Sequence, residues 1–222
     1  MNKKLEIDID YDFRADTPAG KDPDSHSPTL RLYHKHLWSK QLPSGKLFQL
    51  EQSSKNGYLH HKSDLGEFFI SSDSAIHTFR KWPKLAHIVS KLNSNDIEHF
   101  ARLGYTIGGM LVFPSNRVDG KATINGARGM HPLIRDRIDL TLECIRRYYN
   151  GIESPLSTVI GRYNSFFDLF SDFKGYVDFF LLNDLVSDDY VSIKFFMPFE
   201  DFNSPVLPST LEEYEFYKNE AM

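Results

Sequence analysis

Residues 121–149, KATINGARGMHPLIRDRIDLTLECIRRYY, contain both kinds of secondary structure that recur along the chain. Residues 122–125 are predicted to form a short strand, residues 126–129 a tight glycine loop, and residues 132–149 a helix that begins at Pro132. The helix is predicted because apolar side chains recur at every third or fourth position, namely Ile134, Ile138, Leu142, Ile145 and Tyr149. A strand, loop and helix in succession favour a mixed α/β or α+β fold.

The rest of the chain extends this pattern in both directions. Alternation of apolar and acidic residues predicts a strand over 5–13, and Ser27 with Pro28 marks the start of a helix that reaches about Ser39. Further strands are predicted near 46–51, 57–61, 67–71, 105–113, 176–182 and 190–197. Further helices are predicted over 73–82, 84–92, 96–103 (with Asn95 and Glu98 as a capping-box variant) and 154–174. We therefore expect short strands with several packed helices in a single mixed domain.

Domain organisation follows from the absence of a long internal linker. One globular domain is expected over 1–222, with a polar loop of turn-forming residues at 14–27 and a C-terminal tail at 203–222 that contains a short acidic helix. Of the 222 residues, 41% are hydrophobic and 18 are Phe, so a sizeable core is expected.

Charge and cysteine content narrow the class of protein. The net charge of −4 argues against broad nonspecific DNA binding, although a local basic site for phosphate or RNA remains compatible with it. A lone cysteine, Cys144, allows no intrachain disulfide, which favours a reducing compartment. Since neither a signal-peptide pattern nor a long apolar run is found, a cytoplasmic protein without a membrane partner is expected.

The segment 126–129 (Gly-Ala-Arg-Gly) is the leading candidate for ligand binding. A glycine loop before a helix lets an anion approach free backbone N–H groups, and the guanidinium of an arginine there binds phosphate in bidentate fashion. The predicted phosphate ligands are therefore Gly126, Arg128 and Gly129, with Arg117 and Arg135 nearby. In the alternative interpretation, the glycines form only a tight turn and Arg128 pairs with an acid.

Two further residues near this segment are candidates for acid–base catalysis. His131 precedes Pro132 at the predicted helix start, and imidazole titrates near neutral pH. Asp139 lies one turn after Arg135 and is a candidate catalytic carboxylate. The alternatives are a packing histidine and a solvated ladder of ion pairs.

A second set of candidates lies earlier in the chain. Arg31 and His34 are one turn apart on the predicted helix and are assigned as ligand-binding and catalytic residues on the opposite wall of the site. The 14–27 loop brings carboxylates and a histidine together, a mixture suited to acid–base chemistry but equally to turns. The histidines at 34, 36, 60 and 61 lack common zinc spacings, so no structural metal site is predicted, and no cofactor is identified.

Three blocks of the sequence resemble a family of uncharacterised bacterial proteins. They are YTIGGMLVFP at 105–114, INGARG at 124–129 continuing as DRIDLTLECIRR at 136–147, and SPTLR at 27–31 with LWSK at 37–40. The resemblance extends over most of the chain. It implies a bacterial, cytosolic protein of one domain and carries no activity, substrate or catalytic residue.

Two functional hypotheses from different classes follow. The first is a protein that binds a phosphate-bearing ligand, a nucleotide or RNA, and performs phosphoester or nucleotide chemistry if it is an enzyme. The alternative is a protein-interaction or regulatory module, of the toxin–antitoxin or phage-defence type, motivated by Phe-rich segments near 166–180 and 195–202. A third reading treats all these charges as structural.

Overall fold

The structure, a computed structural model, describes residues 5–222 and has a mixed α/β fold, as predicted. Within this range the strands are β1 (Lys40–Gln41), β2 (Leu47–Phe48), β3 (Glu51–Gln52), β4 (Leu59–Ser63), β5 (Gly66–Ser74) and β6 (Met110–Pro114). The helices are α1 (Pro23–His26), α2 (Pro28–Trp38), α3 (Ala86–Val89), α4 (Ser94–Leu103), α5 (Ile124–Met130), α6 (Ile138–Tyr149), α7 (Ser157–Gly161), α8 (Asn164–Phe167), α9 (Phe173–Phe180) and α10 (Leu211–Ala221). No helix in the described range is long and apolar enough to cross a membrane.

The larger sheet is an antiparallel meander in the order β3-β4-β5-β6. Ile70 of β5 lies opposite both Leu59 of β4 and Pro114 of β6, which makes β5 a central strand. The smaller sheet is the β1–β2 hairpin, whose turn at 42–45 contains Pro43 and Gly45.

One face of the large sheet packs against an aromatic core. Phe68 and Ile70 of β5 are buried, and the Phe68 ring meets that of Phe166 edge to face at 5.5 Å. Phe166 and Phe170 are fully buried, and each such side chain contributes about 1.5–3 kcal/mol. Because side chains alternate along a strand, the residues between the buried ones face the other side, where they line a cleft.

The same core absorbs the Phe residues that motivated the protein-interaction hypothesis. Most aromatic side chains of 166–180 are buried. In the second segment Phe196 is buried, while Phe195 and Phe199 are partly buried and stack at 4.1 Å between ring centroids. The first segment is thus core, and the rings of the second segment pack partly against it.

Several predicted helices are confirmed. In α2, the Ser27 hydroxyl accepts a hydrogen bond from the Leu30 N–H at 3.1 Å and Pro28 is the first helical residue, as expected. Helix α4 begins earlier than predicted because Asn93, rather than Asn95, caps it and accepts from the Asn95 N–H. The acidic tail forms α10.

The strand predicted over 5–13 is wrong. This segment forms a single bridge between Asp12 and Thr106 and then a 3-10 turn at Phe13–Ala15. Ile9 is 59% exposed whereas Phe13 is buried, so the alternating residues do not share one buried face.

The predicted strand at 122–125 and glycine loop at 126–129 are also wrong, because residues 124–130 form helix α5. The hydroxyl of Thr123 accepts from the Gly126 N–H and caps the helix. The following helix begins at Ile138 instead of Pro132, because Arg135 and Asp136 adopt left-handed backbone conformations (φ 51° and 62°) that interrupt it.

The helix predicted over 73–82 is replaced by the end of β5 and an irregular segment. Pairing with β6 extends β5 to Ser74, and Phe79 has a left-handed backbone (φ 51°) that a helix does not allow. Residues 75–82 instead pass beneath α10, where Tyr217 donates a hydrogen bond to the His77 carbonyl at 2.7 Å.

Three apolar segments in the second half differ from their predictions. Residues 176–180 belong to helix α9 instead of a strand, because the Asp172 carboxylate caps that helix by accepting from the Gly175 N–H at 2.7 Å. The helix predicted over 154–174 is divided into α7, α8 and a 3-10 turn, and Ser171 (φ 69°) ends the turn. Residues 190–197 form only one bridge, between Val186 and Ile193.

Candidate ligand-binding cleft

A cleft of about 1170 Å³ lies between the outer side of the large sheet and the polar segment that precedes α2. Its floor is the end of β5, and its roof comes from residues 13–24, which include most of the loop predicted at 14–27. Its polar lining includes Asp22, Asp24, Ser71, Ser72, Asp73 and Asn125. We call this the main cleft.

Asp24 is the most buried carboxyl group of the main cleft. It lies in α1, which Asp22 caps by accepting from the Asp24 N–H at 2.9 Å. Its own carboxyl accepts the Ser72 N–H at 2.8 Å and the Ser72 hydroxyl at 2.6 Å. Burial raises the pKa of Asp24 to about 7, because the charged form loses its hydration. A carboxyl that titrates near neutral pH is suited to general acid–base chemistry.

The roof is held over the floor by contacts with the β3–β4 turn. Tyr58 donates its hydroxyl proton to the carboxylate of Asp22, and both residues line the main cleft. Gly57 is required beside them: its φ is +78°, and a Cβ there would lie 2.9 Å from the Ser25 carbonyl oxygen. The β3–β4 turn and α1 therefore pack backbone against backbone, which leaves no room for a side chain at position 57.

Arg128 is buried beneath the end of β5 and joins three parts of the chain. Its guanidinium donates to the Asp73 carboxylate at 2.6 Å, the Thr141 hydroxyl at 3.1 Å and the Asp136 carbonyl at 2.5 Å. The Asp136 carboxylate lies 3.7 Å from the same guanidinium nitrogen that binds Asp73. The side chain is 0% exposed, so these internal partners use the fork that a phosphate would need.

A smaller chamber of about 340 Å³ adjoins the main cleft, and the two share Ser74, Gly104 and Tyr105. Asp136 and His77 line this side chamber. Burial raises the pKa of Asp136, against the opposing effect of Arg128, and lowers the pKa of His77. The buried His77 Nε2 has no hydrogen-bond partner in the described residues.

Asn125 supplies a further polar group with unused bonding capacity. Its amide nitrogen donates to the Ser71 hydroxyl at 3.1 Å and to the Ser72 carbonyl at 3.3 Å. Its buried Oδ1 has no partner among the described residues, although buried polar atoms are nearly always hydrogen-bonded. An atom of this kind in a cleft wall indicates a position where a ligand or a water donates a hydrogen bond.

The structure places the residues predicted around 126–129 in different environments. Gly126 and Gly129 lie inside α5. Gly129 is close to Asp136, because a Cβ atom added at Gly129 would lie 2.8 Å from a carboxylate oxygen of Asp136. His131 caps the end of α5, where its Nδ1 accepts from the Leu133 N–H at 3.2 Å, and burial with nearby Arg135 lowers its pKa.

The remaining predicted arginines near this segment lie outside the main cleft. Arg117 is exposed in the loop after β6. Arg135 stacks over the Trp82 ring at 4.9 Å and lines a separate groove with Val206 and Pro208. The predicted group of phosphate ligands is therefore not brought together in one pocket.

The predicted opposite wall is also dispersed. Arg31 donates to the Ser25 carbonyl and so supports α1 from behind. His34 is buried in α2, where desolvation lowers its pKa to about 4. Asp139 is fully buried, pairs with Arg137 and accepts the Phe196 N–H at 2.9 Å, a structural connection between α6 and the 190–197 segment.

The sequence prediction did not select Asp24, Asp73, His77 or Asn125. The 14–27 loop was recognised as an acid–base candidate, but the Asp22-Pro23-Asp24 order also marks a helix cap, and this hides which carboxyl is buried. His77 and Asp73 were assigned to a helix that does not exist. No group of three or more metal-ligating side chains is found in residues 5–222.

Comparisons with known proteins add a family but no activity. The model of a family of unknown function (DUF6994) matches residues 7–222, and the chain therefore belongs to this family. The resemblance to an uncharacterised family that the sequence suggested is thereby confirmed. No protein with curated annotation and no solved structure matches the chain.

Proposed function

We propose that this chain binds a small polar ligand in the main cleft and exchanges a proton with it through Asp24. The observation that carries the proposal is the presence in one cleft wall of a carboxyl with a pKa near neutrality and the Asn125 Oδ1 that has no partner. Binding clefts for small molecules typically combine a concave volume of about 300–1000 Å³ with a few convergent polar groups. The main cleft, at about 1170 Å³, is slightly larger than this range and is of this kind.

The lining favours a ligand that carries hydroxyl or amino groups. The lining contains acceptors, namely the carboxylates of Asp22 and Asp73 and the amide oxygen of Asn125, beside the cationic side chains of Arg14 and Lys21. Tyr58, Phe69 and Tyr105 add flat apolar surfaces on which a ring can pack. A sugar or a nucleoside has both features.

The phosphate-bearing ligand predicted from the sequence stays a prediction. Its proposed site is now the main cleft instead of residues 126–129. Arg128 supports Asp73 from below the floor, so it would act on a ligand by orienting that carboxylate. The nucleotide class remains compatible with the main cleft, where its sugar and base would lie.

A melting-temperature screen of nucleosides, nucleotides and sugars against the purified protein tests the proposal. A ligand present at about a hundredfold its dissociation constant adds about 2.7 kcal/mol to the free energy of unfolding. We expect one chemical class to raise the melting temperature of the wild type and to lose most of this effect in Asn125→Leu, which removes the free acceptor. The rate at which the protein converts such a ligand should fall in Asp24→Asn, because the amide cannot exchange a proton as the carboxyl does.

Asp188→Asn is the matched control for Asp24→Asn, since Asp188 is exposed and lies outside the main cleft. Equal loss of turnover in both Asp variants would contradict a role for Asp24. A ligand that binds Asn125→Leu as tightly as the wild type would contradict the assignment of the cleft.

A further inference from the structure

The side chamber has a different chemical character from the main cleft that it adjoins. The main cleft has three carboxyl groups and two cationic side chains, whereas the side chamber has Arg80, Lys81 and His77 with a single carboxyl group. Lys81 forms no ion pair in the described residues, and Arg80 uses only one of its nitrogens, in an exposed pair with Glu98. The chamber therefore offers hydrogen-bond donors with positive charge.

The backbone of the same segment adds more donors. The N–H groups of His77, Thr78 and Lys81 have no partner among the described residues, and all three residues line the chamber. Runs of free backbone N–H groups near a left-handed residue, here Phe79 at φ 51°, form concavities that bind anions. Tyr214 and Tyr217 fix this segment from α10 by donating to the carbonyls of Thr78 and His77.

One carboxyl group, that of Asp136, opposes an anion in the chamber. Its charge is partly offset by the guanidinium of Arg128, one nitrogen of which lies 3.7 Å from Asp136 and 2.6 Å from Asp73. Burial also favours its protonated form, in which it donates a hydrogen bond. Lys81, which is exposed and forms no ion pair in the described residues, therefore supplies the chamber with a positive charge that no carboxylate neutralises.

We propose that the side chamber binds a phosphate group of the same ligand whose polar remainder lies in the main cleft. This rests on the proposed function, because the two cavities share Ser74, Gly104 and Tyr105 and one molecule can span them. The substrate class is then a phosphomonoester of a hydroxyl-bearing molecule, such as a sugar phosphate or a nucleoside monophosphate.

Paired ligands test this assignment by calorimetric titration: ribose with ribose 5-phosphate, each common nucleoside with its 5′-monophosphate, and inorganic phosphate alone. For at least one pair, we expect the phosphorylated member to bind about tenfold or more tightly than its parent, the effect of one charge-assisted hydrogen bond. Lys81→Gln should remove about this factor, and should not alter the binding of the parent. Lys91→Gln, which removes an exposed charge outside both cavities, is the control.

The outcomes separate the two proposals. If parent and phosphorylated ligands bind equally, or if the gain survives in Lys81→Gln, the phosphate subsite is overturned, and the proposed function stands when Asn125→Leu still weakens both members. If no paired ligand and no inorganic phosphate binds the wild type, the phosphate subsite is overturned, and the proposed function then depends on unphosphorylated ligands in the wider screen.

Discussion

The guanidinium of Arg128 connects Asp73 at the end of β5 with Asp136 and Thr141 on either side of the α6 start. The side chain of Arg128 is fully buried, so water does not reach the guanidinium in any of these contacts. A buried ion pair is a modest source of net stability, but removal of one partner leaves the other charge buried and uncompensated. Arg128 thus fixes the carboxylates of both cavities relative to each other.

For Arg128→Met we therefore expect a loss of about 3–5 kcal/mol in the free energy of unfolding, measured by urea denaturation. Arg117→Met, at an exposed position, should change it by no more than about 0.5 kcal/mol. A variant that keeps its stability but loses ligand binding would instead support the direct phosphate contact predicted from the sequence.

Asp24 gives the molecule a defined pH dependence. Its pKa is raised from 3.8 to about 7 on folding, so the folded state holds a proton that the unfolded state releases. The stabilisation from this proton is fully present below about pH 4 and is lost as the pH rises to about 7. The difference corresponds to an upper value of about 4 kcal/mol, at about 1.4 kcal/mol per pH unit.

Asp24→Asn replaces the carboxyl by an amide that mimics its protonated form: the oxygen accepts the Ser72 N–H and the nitrogen donates to the Ser72 hydroxyl. Relative to the wild type, the free energy of unfolding of the variant should increase by up to about 4 kcal/mol between pH 4 and pH 8, measured by urea denaturation at both values. If the free energies of unfolding of the two proteins changed in parallel with pH, folding would not raise the pKa of Asp24 and the prediction would be wrong. Asp188→Asn should run parallel to the wild type.

At the scale of elements, the two glycines of α5 differ in their surroundings although they lie one turn apart. A Cβ at Gly126 would meet its nearest neighbour at 3.7 Å, whereas a Cβ at Gly129 would lie 2.8 Å from the Asp136 carboxylate. Alanine in a helix is favoured over glycine by roughly 1 kcal/mol. Gly126→Ala is expected to gain part of this amount.

Gly129→Ala is expected to lose that gain, because the carboxylate of Asp136 must move away from Arg128 to make room. The two variants should differ by about 1 kcal/mol or more in thermal denaturation, with Gly126→Ala the more stable. Equal stabilities would mean that the Asp136 carboxylate moves aside at no cost in free energy, so that Arg128 does not fix its position.

Elements with explicit end signals could be predicted from the sequence, and elements that depend on partners could not. Helix α2 has Ser27 and Pro28 at its start, and the β1–β2 turn has Pro43 and Gly45. Helix α9, by contrast, is a short apolar run whose composition suits a strand or a helix equally. Its helical state depends on the Asp172 cap and on packing among aromatic rings.

The candidate site was harder to predict because burial decides its chemistry. Arg128 and Asp24 are both charged residues next to turn-forming neighbours, and the sequence favours the first as a ligand-binding group. The structure buries the Arg128 guanidinium among three internal partners and leaves Asp24 on a cleft wall. That difference arises from contacts made across 55 and 48 residues of chain, which local patterns do not report.

At the scale of the molecule, one hydrophobic cluster connects the sheet with helices from both halves of the described chain. It includes Trp38 from α2, Phe113 from β6, Phe170 from the 3-10 turn after α8, and Tyr217 from α10. Tyr217 and Tyr214 also bond the segment that forms the side chamber, so the C-terminal helix supports the site directly. A continuous core of this kind favours cooperative unfolding.

We therefore expect a single unfolding transition for the chain, as the one-domain prediction requires. Far-ultraviolet circular dichroism reports the helices, and tryptophan fluorescence reports Trp38 in the core and Trp82 beside the side chamber. Both signals should change with the same urea midpoint. Phe170→Ala opens a cavity in the aromatic core and should lower both midpoints together, by an amount that corresponds to about 3–5 kcal/mol. If only the circular dichroism midpoint fell, the aromatic helices would be a separate unit and the site could stay folded without them.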